Sequence, residues 1–410
     1  MSKLIINIKE LAQIRDSKIS FASVSQMNEI PSIKNAFLLI ENGLISDFGK
    51  MSNIPKEKKF EIIDASGRTV LPAWCDSHTH SVFTGSRSDE YIDRIKGLSY
   101  QEIANKGGGI LKSANQIKNI SKNDLFEESK KRIYNLIKQG TGCIEIKSGY
   151  GLNYNSELKM LNVIKDLKES LPIEIKSTFL GAHAFPKELS KNEYFDLVIN
   201  KMLPDFTTKK LMDYVDIFCE KNYFTVNDTE QLIKEAKKYN IPAKIHVNQF
   251  NSIGGIKIAV RNKAVSVDHL EVVNEQDIAE LKKGSTMPVL LPGCSFFLGI
   301  EYSPAKKLLF NNIPFAIASD FNPGSCPTGN MNFIISLACN KLKLTPEQAI
   351  NAATINGAYS MGLSNVSGSI TRGKLANLLI TKNIESLNDL PYYIGDNLID
   401  KVLIRGKEIL

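Results

Sequence analysis

Apolar residues fall into two rhythms along the middle of the chain. Short β-branched runs at 69–73, 143–147, 173–180, 215–219, 243–247, 265–269, 287–291 and 315–319 alternate with longer stretches. In those stretches, such as 123–139, 156–170 and 228–239, apolar positions recur three and four residues apart, the spacing of one helix face. Strand followed by helix, repeated, implies parallel strands joined by crossover helices. Eight such runs predict an α/β chain folded as a (β/α)8 TIM-like barrel, with its active site at the C-terminal ends of the strands. The alternative is a doubly wound open sheet, but no glycine fingerprint follows the first run to favour it.

The two ends read differently. Residues 3–8 and 36–40 alternate or run apolar, and Glu41-Asn42-Gly43 is a hairpin turn signal before 44–48. Residues 376–381 and 401–404 are short strand patterns, and Arg405-Gly406-Lys407 turns the chain into a last strand at 408–410. A small β-sandwich domain formed by both chain ends, 1–70 with 362–410, is therefore predicted around a barrel at 71–361.

Composition narrows the class. At 410 residues, with 43% hydrophobic and 23% charged positions, the chain can bury a large core, which excludes a disordered protein. The net charge of +7 comes from lysines interleaved with acids, a solvated surface and not a nucleic-acid stripe. The six cysteines form no C-x-x-C pair, which fits free thiols in a reducing cytoplasm. The opening MSKLIINIKELAQIR lacks the pattern of a signal peptide, and no apolar run approaches the ~20 residues of a membrane span. A cytoplasmic protein with no nucleic-acid or membrane partner is expected. Lys106-Gly107-Gly108-Gly109 is a loop without the Gly-Lys-Ser/Thr of a phosphate cradle.

Candidate chemistry lies in the histidines. Only five exist, His78, His80, His183, His246 and His269, and each stands at or just past the end of a predicted strand. A lone histidine is usually structural, but five at strand ends of a barrel point to its active face. In extended backbone, His78 and His80 point to the same side, so both imidazoles can meet one metal. His246 offers a third nitrogen. Asp320, an acid closing an apolar run, offers an oxygen, because burying it is costly unless it is paired or metal-bound. The alternative for Asp320 is a turn or helix N-cap, since Pro323 and Gly324 follow. Three nitrogens and one oxygen suit one Zn2+ or Fe2+ with a position left for water. Such a metal lowers the pKa of its water to about 7, and Asp320 can accept the water proton. His269 can polarise a carbonyl or move a proton.

Over 72–80 the sequence resembles the amidohydrolase superfamily, whose first strand carries His-x-His. His246, His269 and Asp320 match its fifth-, sixth- and eighth-strand positions. No lysine stands at a bridging position on the fourth strand, which reads Tyr214-Val215-Asp216-Ile217-Phe218-Cys219. That favours the single-metal branch. The segments 82–87, 107–110, 145–152 (EIKSGYGL), 178–183 (TFLGAH) and 319–325 (SDFNPGS) are similar to the imidazolone-ring hydrolases of histidine degradation, and the likeness runs over nearly the whole chain.

The resemblance implies a reaction. Metal-activated water would open the ring of 4-imidazolone-5-propanoate to give N-formimidoyl-L-glutamate, with one divalent metal, Zn2+ or Fe2+, per subunit and no organic cofactor. His78, His80, His246 and Asp320 would hold the metal, and His269 and Asp320 would be catalytic. Arg87 would pair with the substrate carboxylate as a planar fork. Tyr150 and His183 would contact substrate, and Asn322, Gly324 and Ser325 would hold the product-side amide and carboxylate. Gln249 stands where the family can carry glutamate. Glutamine can hydrogen-bond the ring but cannot move a proton, so it is assigned to substrate orientation. A homodimer is the default expectation. One rival is a deaminase acting on a nucleobase-like ring, which Gln249 argues against. Another is a non-catalytic barrel scaffold, which the survival of all four candidate ligands argues against.

Overall fold

A computed structural model describes residues 2–55, 59–98, 102–103 and 106–409. The N-terminal strands are β1 (Lys3–Ala12), β2 (Ser32–Glu41), β3 (Leu44–Lys50), β4 (Glu61–Asp64) and β5 (Arg68–Pro72). Asn42 and Gly43 carry φ of 52° and 79°, the paired positive values of a type I′ turn, so β2 and β3 form the expected hairpin. Eight strands follow: β6 (Trp74–Thr79), β7 (Thr141–Lys147), β8 (Glu174–Ala182), β9 (Tyr214–Cys219), β10 (Lys244–Val247), β11 (Ser266–His269), β12 (Met287–Leu290) and β13 (Ala316–Ile317). The chain ends with β14 (Leu378–Asn383), β15 (Ile399–Ile404) and β16 (Lys407–Glu408). Arg405 and Gly406, at φ 50° and 70°, make the turn before β16. That strand stops short of the predicted 408–410, and Leu410 lies outside the described residues.

Strands β6 to β13 pair in sequence order, each parallel to the next. An isolated parallel bridge between Thr79 and Phe321 ties the first strand to the segment after the last. There Asp320 N donates to His78 O at 3.0 Å and His80 N to Phe321 O at 2.9 Å. The predicted (β/α)8 barrel is present, and its seam brings the His-x-His pair beside Asp320. Crossover helices Lys122–Lys138, Tyr154–Ser170 and Val226–Lys238 start on Ser121, Asn153 and Thr225, whose side chains accept from backbone N–H groups of the first turn. Their apolar faces, including Ile133, Leu161, Ile164 and Leu232, pack on the outside of the barrel.

The remaining strands form one mixed sheet in the order β16-β15-β14-β5-β1-β2-β3, with β4 also on β1. Both chain ends contribute: β5 pairs antiparallel with β14, Val70 opposite Ile380. Ile5, Leu38, Val70, Leu378 and Leu403 bury its apolar face.

The run at 69–73 belongs to this sheet and is not the first barrel strand. Ala73 N bonds Asn377 O, and the next amide, Trp74 N, bonds Gly140 O at the start of the barrel. The chain changes sheets within two residues and stays fully buried throughout, so hydrophobicity marks no break. No helix among the described residues is long and apolar enough to cross a membrane.

Candidate active site

The barrel interior below the strand ends is charged. Glu145 and Lys147 on β7, Asp216 on β9, Lys244 on β10 and Asp268 on β11 are all at most 1% exposed. Lys147 Nζ lies 2.7 Å from Glu145, 2.8 Å from Asp216 and 3.3 Å from Asp268. Lys244 pairs with Glu145 and donates to the carbonyls of Ser77 and Ser360. Burial alone would lower the pKa of Lys147, but the three carboxylates outweigh it and hold the ammonium firmly charged.

Two of these acids reach the histidines above. Asp268 Oδ2 is 2.6 Å from His78 Nδ1, and Asp216 Oδ2 is 2.8 Å from His246 Nδ1. The His246 contact is short but poorly aligned, since that nitrogen completes no hydrogen bond. A carboxylate on one ring nitrogen fixes the tautomer and turns the other nitrogen outward. His78 Nε2 and His246 Nε2 are buried with no hydrogen-bond partner. Asp320 Oδ1 stands 3.5 Å from His78 Nε2 and 3.6 Å from His80 Nε2. Two donors on one tetrahedral ion lie about 3.4 Å apart at metal–ligand distances of about 2.1 Å. The His78 and His246 rings sit 4.5 Å apart between centroids.

Electrostatics matches this geometry. Burial first, and then the neighbouring cations and histidines, push His78, His80 and His246 well below the ordinary histidine range, so all three are neutral bases. Orphaned buried nitrogens, a convergent carboxylate and neutral imidazoles fit a divalent metal centre. Burial raises Asp320 to about 6. In the metal-free site protons therefore compete for its oxygens below about 6, so metal affinity should fall progressively as pH drops below that value. Dialysis over a pH series followed by metal analysis checks this, and retention unchanged well below that pH would contradict it.

His269 and Asp320 carry φ of 90° and 54°, and Leu270, next to His269, carries 62°. Left-handed backbone at such residues costs on the order of 1–3 kcal/mol each and is found where side chains must be aimed. His269 Nδ1 faces Glu271 Oε1 at 3.3 Å. Burial depresses its pKa, but Glu271, Asp320 and Asp268 more than compensate and leave it raised.

A small cavity opens over the donor set. Of the residues predicted to touch substrate, Arg87, Tyr150, His183, Gln249, Asn322 and Ser325 line it, together with His269 and Asp320. Gly324 stands behind, against the Arg87 guanidinium, where an added Cβ would lie 2.1 Å from Nη1. The Nε–Nη2 edge of Arg87 is held by Glu90 at 2.9 and 2.7 Å, and Glu90 also accepts from Gly109 N. His183 stacks on His80, centroids 5.1 Å apart and planes 11° apart, and burial brings its pKa down to about 4. Asn322 Oδ1 accepts from the backbone N–H groups of Gly324 and Ser325, at 2.8 and 2.7 Å. Those two donors are engaged by Asn322, whose side chain shapes the loop. Gln249 Nε2 donates to Cys294 Sγ at 3.4 Å.

Sequence reading missed Glu90, Glu145, Lys147, Asp216, Asp268 and Glu271. One signal was available: Asp216 and Asp268 are acids inside apolar strands, where an unpaired charge is costly.

The profile of the amidohydrolase family matches residues 69–409. The imidazolonepropionase of Christiangramia forsetii is 57% identical over 411 aligned residues, covering 100% of both chains. The chain belongs to the amidohydrolase family, among the imidazolonepropionases. The Geobacillus kaustophilus imidazolonepropionase is 36% identical across 98% of this chain and 96% of its own. Among solved structures of this family's fold, the guanine deaminase of C. acetobutylicum with bound guanine superposes with a TM-score of 0.72 at 18% identity, covering 100% of both chains.

Proposed function

We propose that this chain hydrolyses 4-imidazolone-5-propanoate to N-formimidoyl-L-glutamate, a step of histidine degradation. One observation carries the reading: a single cavity joins a donor set of three imidazoles and one carboxylate to the buried guanidinium of Arg87. That is the pairing a cyclic amide bearing a carboxylate requires. The full-length similarity to imidazolonepropionases supports the choice of ring.

His78, His80, His246 and Asp320 would hold a divalent metal, Zn2+ or Fe2+, which when bound supplies a water activated near neutral pH and polarises a carbonyl oxygen. Asp320 takes the proton of the attacking water. His269, with its raised pKa, donates a hydrogen bond to the carbonyl oxygen as negative charge develops there. The proton then passes to the ring nitrogen as the carbonyl carbon–nitrogen bond breaks, with His269 and Asp320 as its carriers. Gln249 orients the ring through its amide. Tyr150 and His183 form its walls, their ring centroids 5.6 Å apart. Glu90 fixes one edge of Arg87, so the substrate carboxylate meets the Nη1 end beside Gly324. We further propose a cytoplasmic homodimer, with the two chain ends as the small domain and the barrel running to 361; the predicted boundary at 70/71 moves to 73/74, because 71–73 pair in the terminal sheet.

Turnover of imidazolone propionate, with metal content measured on the same sample, tests the assignment. Ammonia release from nucleobases without imidazolone turnover would overturn it. Arg87→Ala should raise KM by about 10- to 100-fold, the loss of a hydrogen bond to a charged group, with a smaller change in kcat. Gly324→Ala should act in the same direction by displacing Nη1. An unchanged KM in Arg87→Ala would remove Arg87 from the substrate site.

A further inference from the structure

On the Glu271 side of His269, a second group of donors converges. His269, Glu271 and Cys294 each offer a ligand atom, all within 4.8 Å of one another and all buried. They are 3%, 5% and 0% exposed. Glu271 Oε1 meets His269 Nδ1 at 3.3 Å and Ser295 Oγ at 3.4 Å, while Glu271 Oε2 is buried with no hydrogen-bond partner. A buried carboxylate oxygen without a partner is costly. The 3.3 Å contact is long for an N–H···O bond, whose usual length is about 2.9–3.0 Å. It is close to the roughly 3.4 Å between two donors of one tetrahedral ion. Gln249, which lines the reaction cavity, touches Cys294 Sγ and so connects the two places.

We propose that His269 Nδ1, Glu271 and Cys294 form a second site, for a thiophilic divalent cation of the Zn2+ class, and that filling it inhibits the enzyme. The nitrogen, oxygen and sulfur donors select zinc-like ions over Mg2+. On binding, the Cys294 S–H bond breaks, its proton leaves to solvent, and a sulfur–metal bond replaces it. The Nδ1–H bond of His269 breaks as well, its proton leaving to solvent while Nε2 keeps the other, and the freed Nδ1 lone pair binds the ion in place of the contact with Glu271. His269 is then fixed as a ligand of the second ion, and turnover falls.

The test uses the full-length protein loaded with one equivalent of metal. Titration with Zn2+ should show a second equivalent by equilibrium dialysis, with turnover falling at least tenfold as it binds, whereas Mg2+ should have no effect. Cys294→Ala and Glu271→Gln should each keep the first equivalent and bind the second at least tenfold more weakly. With Co2+, the second equivalent should bring sulfur-to-cobalt charge-transfer absorption in the wild-type protein. The proposal falls if the wild type stops at one equivalent, if Co2+ beyond one equivalent gives no charge-transfer band, or if both variants bind the second equivalent unchanged. The last result would mark a surface site. Stoichiometry and absorption involve no substrate, so their failure is distinct from a failure of the ring-hydrolysis reading.

Discussion

His269→Ala should lower kcat by about 10²- to 10⁴-fold, the usual contribution of a positioned proton donor, and leave one equivalent of metal in place. The reason is geometric. His269 closes β11 in left-handed backbone, with Nδ1 turned to Glu271 and its ring 5.3 Å from that of His246. It faces the cavity from beside the donor set formed by His78, His80, His246 and Asp320. Steady-state kinetics and metal analysis on one preparation separate the two roles. If metal is lost along with activity, His269 is itself a ligand, a role its proximity to His78 and His246 permits.

The largest effect on stability is expected at Lys147. Lys147→Met removes an ammonium that touches Glu145, Asp216 and Asp268 together. Breaking a buried ion pair from one side costs about 3–5 kcal/mol, because the surviving charges stay buried without compensation. Asp216 and Asp268 also lie on the imidazoles of His246 and His78, so metal affinity should fall by a further 10- to 100-fold. Denaturant unfolding of the metal-free protein reads the first effect, and competition with a chelator reads the second. A variant that unfolds at the wild-type denaturant concentration would show that the carboxylates need no cation beneath them.

The two variants also mark how far sequence reading reached. Seven of the eight predicted barrel runs overlap β7 to β13. The exception, at 69–73, runs without a polar break into β6, and hydrophobicity carries no information about which sheet a buried strand joins. The histidines and Asp320 were legible because each stands at or just past a strand end, where the barrel collects them whatever the crossings between, whereas Arg87, Tyr150, Gln249, Asn322 and Ser325 came from the resemblance of the segments around them. Lys147 was not legible. It stands in a conspicuous segment, Glu145-Ile146-Lys147-Ser148, but its partners Asp216 and Asp268 come from strands 69 and 121 positions further on. Only the closed barrel places them on one ammonium. Glu90 was missed for a related reason: its place three residues after Arg87 is one that surface helix acids also occupy, yet it is 4% exposed.

The pairing of β5 with β14 has a consequence for how the molecule is made. Val70 and Leu71 meet Ile380 and Leu379 across more than 300 residues of chain. On the ribosome, the strands preceding the barrel are complete long before their neighbour exists. At synthesis rates of about 5–20 residues per second, they wait tens of seconds with that edge unpaired. An open apolar strand edge is a template for other chains. The nascent protein is therefore most exposed to aggregation before residue 378 emerges, and docking of β14 comes late in its folding.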